Sequence, residues 1–450
     1  MNSTKIVLLC SIVIFCLLSY SLYRINPAYE AHCDLDSSGY VAIGNYFATD
    51  NQLMDPQRGS IIPVQTLGYP FFLGSIYKLF GFHHTWVIIA QILLSLLALL
   101  LLYRIAYMLF DEHVAQVTVL LGSFNLGFLI YSQFMLTEVL LAFFLIASLE
   151  RLCTYFKTSS LSSLALAGLL YGCSVAVKPV ALFYIFIVIF FVGLHAYLQR
   201  QKVLNAILLC LFCFYIPVAG YMLHNKYQFG SMTIAPLMHE NIYFYFLAKV
   251  IAHDQGISWA EGLVQVGTLM DGKHHNDHTR WNKPKALMHS YFYEKPVLVV
   301  RIWLHNMIKT VGALYTNQLK FLVNPSLKGT ETSFFSKSGS LYNRFYHYVV
   351  DGTSSRLIHI IAFLQLLWMV LQLFFIMIGL YALWHKKYYF IVSFVIISIF
   401  YFSFITGHDG CARYRMMFEY FFILFSAFGM VVAYRCAKKE NTIITYQLIH

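Results

Sequence analysis

The sequence predicts an all-α polytopic membrane protein, and three observations predict it. Of 450 residues, 59% are hydrophobic and only 11% charged, against roughly 25% charged in a soluble domain. Mean hydropathy is +0.65, and Phe, Tyr and Trp make up 18% of the chain. Apolar runs recur along the sequence, most of them close to the ~20 residues that a helix needs to cross a bilayer. Together these exclude a soluble globular domain, a disordered chain and a secreted disulfide scaffold.

Ten runs are predicted as spans: 5–23, 84–103, 114–131, 134–150, 161–177, 179–198, 203–223, 357–384, 388–407 and 414–434. The first is longer than the apolar core of a secretory signal, and no small-x-small site follows it, so it is read as an uncleaved span. Lys178-Pro179 divides the fifth from the sixth, because 161–198 is far too long for one crossing. Lys5, Arg104, Arg151, Lys157, Arg200, Lys202, Lys386, Lys387, Arg435, Lys438 and Lys439 all fall on one side when ten spans are threaded. The bias of Lys and Arg towards the cytoplasm makes that side cytoplasmic, with both termini there. The net charge of +11 is therefore a topological signal, and no nucleic-acid partner is expected.

Three regions follow. Residues 1–230 form a membrane module of about seven spans with a first outer loop at 24–83. Residues 224–356 form a large outer loop, and 357–450 a C-terminal three-span part with a cytoplasmic tail. In the first outer loop Tyr40, Ile43 and Phe47 recur at helical spacing, with Asp36-Ser37-Ser38-Gly39 as a cap. A second helix is expected from Pro70 to Phe80, with Pro in its first turn and Gly81 after it. Its Phe71, Phe72, Ile76, Leu79 and Phe80 suit a helix lying in the membrane interface.

The residues able to carry chemistry fall on the outer side of this topology. Asp34 and Asp36 follow the first span, and Glu138 sits one turn inside the fourth. Lys178 ends the fifth, Asn225 follows the seventh, and His408, Arg413 and Arg415 join the ninth to the tenth. Each has a plainer reading. Asp36 suits a helix cap, Arg413 and Arg415 suit interfacial anchors, and Lys178 can snorkel to the headgroups. A carboxylate inside a span is costly, so Glu138 needs a partner or a task. As a set, a carboxylate base with several fixed cations at a water–lipid boundary suits transfer from a lipid-linked phosphate. The carboxylate takes the proton of the attacking hydroxyl, and the cations stabilise the departing phosphate.

Asp36-Ser37-Ser38-Gly39-Tyr40, with Thr66-Leu67-Gly68-Tyr69-Pro70 after it, resembles the first outer loop of the GT-C glycosyltransferases. The nearest likenesses are to bacterial aminoarabinose-to-lipid-A transferases and protein O-mannosyltransferase-like enzymes. Leu136-Thr137-Glu138, Val177-Lys178-Pro179, His224-Asn225 and Ala412-Arg413-Tyr414-Arg415 resemble further segments of that family, in the same order. The resemblance covers most of 1–230 and 400–434 and hardly touches 240–350. It implies a bundle of GT-C type with two juxtamembrane helices and a polyprenyl-phosphate sugar as donor. It also implies a lipid, glycan or protein acceptor, Asp36 as catalytic base with Asp34 as fallback, and Lys178, Arg413 and Arg415 on the phosphate side. The sequence departs from the family at Ser37, where many relatives carry a second acidic residue, and at Leu67, where many carry Pro.

No cofactor and no metal are expected. His274-His275-Asn276-Asp277-His278 reads as a solvated polar turn. Cys210 and Cys213, inside an apolar run, read as packing residues, whereas Cys33 and Cys411 lie where an oxidising compartment allows a bridge. Neither outer segment contains an Asn-x-Ser/Thr acceptor, which favours a bacterial plasma membrane. Two other classes remain open. A surface-polysaccharide polymerase, ligase or flippase would take a pyrophosphate-linked oligosaccharide, and a secondary transporter would show repeat symmetry and a midplane site.

Overall fold

The structure, a computed structural model, describes residues 3–34, 36–57, 59, 63, 65–234, 237–270, 278–327, 340–350 and 356–438. No strand occurs among the described residues. The helices begin with α1 (Ser3–Ile25), α2 (Ser37–Asp50), α3 (Gly68–Phe80), α4 (His84–Leu109), α5 (Glu112–Ser123) and α6 (Leu126–Tyr131). Next come α7 (Glu138–Thr158), α8 (Leu161–Val177), a 3-10 turn at Pro179–Tyr184, α9 (Ile185–Leu198) and α10 (Val203–Phe229). The following segment holds α11 (Leu237–Glu240), α12 (Leu247–Gln255), α13 (Trp259–Leu269), α14 (Asn282–Glu294), α15 (Pro296–Gly312), α16 (Thr316–Val323) and α17 (Leu341–Val350). The chain closes with α18 (Arg356–His385), α19 (Tyr389–Ile405), α20 (Ala412–Arg415) and α21 (Glu419–Ala437).

Seven of these are long and apolar enough to cross a membrane: α1, α4, α7, α9 with its 3-10 turn, α10, α18 and α21. A spanning helix satisfies its backbone polar groups internally, which is why the apolar runs became helices. Each of the ten expected runs is helical, but not each as one spanning helix. Two are shorter, since α8 and α19 have 17 residues each. The run expected at 114–131 is broken at Phe124-Asn125 into α5 and α6. Asn125 stops it because its side chain competes for backbone groups. The Asn125 Oδ1 accepts the Phe128 N–H at 3.1 Å, and its Nδ2 donates to Glu419 at 2.7 Å. The fourth run starts late, at Glu138, because the turn before it is held open: Gln91 donates to the carbonyls of Ser132 and Phe134 at 3.0 and 2.9 Å.

The expected interfacial helices are present as α2 and α3, packed on each other. Tyr69 anchors α3 to the bundle by donating to Gln91 at 2.7 Å. Because Gln91 near the start of α4 meets the turn before α7, and Arg104 near its end meets Glu150 at 2.8 Å, α4 and α7 run parallel. Their far end gathers ion pairs: Arg104 and Arg151 on Glu150, and Arg435 on Asp111 at 2.7 Å. The opposite end carries α2, α3 and the segment that follows α10. That segment has its own hydrophobic core, with Phe246, Leu247, Val250, Ile251, Val266, Met288 and Val299. The regions 1–230 and 357–438 share one core instead, so the C-terminal helices complete the bundle rather than append to it.

α18 and α21 cross at their glycines. A Cβ added at Gly429 would overlap the Phe375 carbonyl, and one at Gly379 would come within 2.8 Å of the Phe425 carbonyl. Small residues at such crossings let helix backbones approach where no hydrophobic effect drives them together. Gly429→Leu is therefore expected to push the two helices apart and cost about 1–3 kcal/mol of stability, seen as a lower melting temperature in detergent.

Candidate active site

Four of the residues singled out in the sequence meet at the end of the bundle that carries α2 and α3. Glu138, the first residue of α7, is 2% exposed and takes two cations on one oxygen. Lys178 Nζ lies 2.9 Å and Arg413 Nε 2.5 Å from Glu138 Oε1. Arg413 Nη1 reaches Asp36 Oδ2 at 2.5 Å, and Asp36 is 54% exposed. The group thus grades from a dry carboxylate to a wet one, with the guanidinium between them. The Nη2 of Arg413 has no hydrogen-bond partner among the described residues. The second oxygen of Glu138 is buried and likewise unpartnered there.

Local folding explains each placement. Lys178 ends α8 in an extended conformation, with Pro179 forcing the chain out of the helix. The Thr66-Leu67-Gly68 turn is stitched onto this point. Thr66 Oγ1 donates to the Val177 carbonyl at 2.6 Å. A Cβ on Gly68 would come 2.5 Å from the Ala176 carbonyl, so only glycine lets α3 start so close to α8. Leu67 N–H donates to Tyr221 of α10 at 3.2 Å. Asp36 occupies the N-cap position of α2 but makes no side-chain cap bond. The cap role expected for it is therefore not the one it plays, because its carboxylate reaches Arg413 instead.

The remaining sequence candidates take other partners. Asp34 accepts from Gln318 of α16 at 3.0 Å. Asn225 is buried and ties down the chain after α10, donating to the carbonyls of Thr233 and Ile234 at 2.6 and 3.3 Å. Arg415 shares no partner with Arg413. It donates to Glu419 at 2.7 Å, to Tyr315 at 3.2 Å and to the carbonyls of Val311 and Ala313 at 2.8 and 2.9 Å. These contacts make it a buried structural cation. His408 packs against Tyr414, with ring centroids 5.7 Å apart. Burial pushes its imidazole below the usual range, with Asp409 opposing.

Four residues that the sequence did not mark as site residues belong to the site or its support. Tyr40, one turn after Asp36, is buried, and burial holds its phenol well above the usual range, so it stays neutral beside Arg413, Asp36 and Glu138. The Lys178 ammonium lies 5.0 Å from the centre of the Tyr414 ring. Lys249 of α12 donates to both the carbonyl and the carboxylate of Asp409, at 2.7 and 2.5 Å. Asn306 of α15 donates to the Gly407 carbonyl at 2.8 Å. The segment after α10 thus grips the loop that delivers Arg413.

Among the described residues no three His, Cys, Asp or Glu side chains gather as a metal site, and the cluster His274–His278 lies, apart from His278, outside them. Cys33 and Cys411 are not joined by a disulfide, so the bridge considered for them is not formed. Burial pushes the Cys411 thiol up to about 11, which keeps it protonated and unreactive.

Two variants test this electrostatic arrangement. Glu138→Ala leaves Arg413 and Lys178 without their buried counter-charge and is expected to cost about 3–5 kcal/mol, measured as loss of thermal stability in detergent. Burial alone would raise the Asp409 carboxyl, but Lys249, with His408 and Lys309, more than reverses this and holds it below the usual range. A depressed folded-state value stabilises fully above the unfolded carboxyl's ~3.9 and is lost as pH falls below that. Asp409 is 38% exposed, so Lys249→Met is expected to cost only about 0.2–1 kcal/mol at neutral pH. The gap to the wild type should close as melting is repeated below about pH 4.

Residues 64–221, about a third of the chain, match the family model of dolichyl-phosphate-mannose-protein mannosyltransferases. The archaeal oligosaccharyltransferase AglB of Archaeoglobus fulgidus, solved with an inhibitory peptide and a dolichol-phosphate, superposes with a TM-score of 0.55 at 14% identity. The alignment covers 98% of this chain and 52% of that one. A second structure of the A. fulgidus oligosaccharyltransferase, tethered to an acceptor peptide, gives 0.52 at 13% identity, again covering 98% and 52%. The chain therefore spans about half the length of these two structures. No curated protein sequence matches it. The family match over the helices that carry Glu138 and Lys178, beside a fold shared along nearly the whole chain, makes this polytopic membrane protein similar to the GT-C glycosyltransferases.

Proposed function

We propose that the chain is a membrane glycosyltransferase that moves a sugar from a polyprenyl-phosphate donor to a hydroxyl of a lipid, glycan or protein acceptor. The observation that carries this reading is the meeting of Asp36, Glu138, Lys178 and Arg413 at one end of the bundle. Asp36 is the half-exposed carboxylate that an acceptor hydroxyl can approach, and it serves as general base. As the acceptor oxygen bonds to the anomeric carbon, its proton passes to Asp36 and the carbon–oxygen bond to phosphate breaks. The negative charge that develops on the leaving phosphate falls to Arg413, through its unpartnered Nη2, and to Lys178. Glu138 positions both cations. The dolichol-phosphate in the AglB structure and the dolichyl-phosphate-mannose donor of the matched family support a lipid-phosphate donor.

The end with α2 and α3 is the outer face in this proposal, and the end with Arg104, Arg151 and Arg435 the cytoplasmic one, following the basic loops. Bacterial plasma membrane is the expected location. One observation favours a second reading, transfer of a whole oligosaccharide from a pyrophosphate-linked donor: the fold match to an oligosaccharyltransferase runs along 98% of the chain. A transporter would need its ionisable groups near the membrane midplane, whereas this set lies at one end of its helices.

The test uses purified full-length chain in lipid vesicles. Undecaprenyl-phosphate sugars and pyrophosphate-linked oligosaccharides are offered separately, with membrane extract as the acceptor source. The monophosphate donor should be consumed, and Asp36→Asn should slow transfer about 10²–10⁴-fold at unchanged expression and melting temperature. Turnover of only the pyrophosphate donor would favour the second reading, and undiminished turnover by Asp36→Asn would remove it as the base.

A further inference from the structure

α15 and α16 were not foreseen as membrane elements, yet together they are apolar enough for a span and bend by 70° at the break between them. Three observations bear on where they lie. The first is depth. At the bend Thr316 N–H donates to Gln365 of α18 at 3.2 Å, and Tyr315 donates to Glu419, the first residue of α21, at 2.8 Å. α18 has 30 residues, or about 45 Å, so its ends project only about 7 Å beyond a hydrocarbon core of about 30 Å when centred in it. Gln365 lies about nine residues, some 13 Å of helix rise, from the α18 end that starts at Arg356. The bend is therefore at hydrocarbon depth.

The second observation is backbone chemistry. Non-helical backbone persists at that depth only where protein groups satisfy it. Here the Val311 and Ala313 carbonyls accept from Arg415, at 2.8 and 2.9 Å, and Gln365 takes the Thr316 N–H. Polar side chains anchored in the bundle thus complete the bonding of the break. This gives Arg415 its task.

The third is the free face of α15. Its other face is buried, with Val299, Ile302 and Asn306 against the neighbouring segment. Yet Val297, Val300, Leu304 and Ile308 are 79%, 52%, 50% and 65% exposed. They continue the apolar outside of α19, where Phe400 and Phe404 are 58% and 48% exposed. Trp303 joins the two surfaces by donating to the Phe404 carbonyl at 3.0 Å. Within the stripe sit Arg301 and His305, with Lys309, His253 and Arg344 near enough to act on His305, and basic groups of this kind suit lipid phosphates.

We propose that α15 and α16 form a re-entrant hairpin in the leaflet bordering the ionic site, with the Val297–Ile308 stripe against acyl chains and Arg301 and His305 at the phosphate headgroups. This does not depend on the catalytic reading. α15 enters from the headgroups, the bend seats between α18 and α21, and α16 returns to the site, where Gln318 meets Asp34.

The test places a nitroxide, coupled to an encoded keto amino acid, at Val300 or Leu304 of the full-length chain in vesicles of neutral and anionic phospholipid. Leu367 on α18 serves as the lipid-facing control and Lys285 on α14 as the aqueous one. Collision with oxygen should exceed collision with a water-soluble nickel chelate several-fold at both stripe positions, as at Leu367. Preference for the nickel chelate, as at Lys285, would place the stripe in water. Low collision with both reagents would mean that protein, such as a second copy, covers it. Either of these results overturns the proposal.

Discussion

One carboxylate oxygen holds the site together. Glu138 Oε1 binds a lysine from the end of α8 and an arginine from the far C-terminal part, and the arginine reaches back to an aspartate near the start. Such a cluster is a poor way to gain stability. Desolvating charges costs more than their attraction often returns, and apolar residues of the same shape can do as well. What it fixes is position: two cations from distant parts of the chain are held within reach of one another and of the boundary water. Each connecting element can be read from this requirement, from the glycine that lets α3 start against α8 to the proline that turns the chain after Lys178.

The charges are also unequal in strength. In the dry part of the cluster one carboxylate faces two cations, so a positive excess remains. The balancing carboxylate, Asp36, is more than half exposed, and an ion pair so wetted is screened and weak. In the proposed reaction a phosphate entering from the lipid side competes with Asp36 for Arg413 far more easily than with Glu138.

Much of this could be read in the sequence, and the failures share a cause. Hydropathy marked every spanning helix because an apolar run needs no partner to be recognised. It could not see that Asn125 would break its run, since that depends on Glu419 nearly three hundred residues away. Charged residues were read correctly as costly, and Glu138, Lys178, Arg413 and Asp36 do meet. The same reasoning grouped Arg415 and Asn225 with them, because a sequence shows that a polar group must be paid for but not by what. Lys249, Tyr40 and the α15–α16 hairpin escaped for the converse reason: their composition is ordinary and only their neighbours give them a role.

The segment after α10, which the family match over 64–221 does not cover, is nonetheless tied to the loop that carries Arg413. Lys249 holds Asp409, Asn306 holds the Gly407 carbonyl, and Trp303 holds that of Phe404. Arg413 follows Asp409 by four residues and Gly407 by six. Any shift of that segment must therefore move the guanidinium relative to Glu138, whose own place is fixed by α7. A bond of 2.5 Å tolerates little displacement before it is lost. That segment thus helps to set whether the arginine is in register with Glu138.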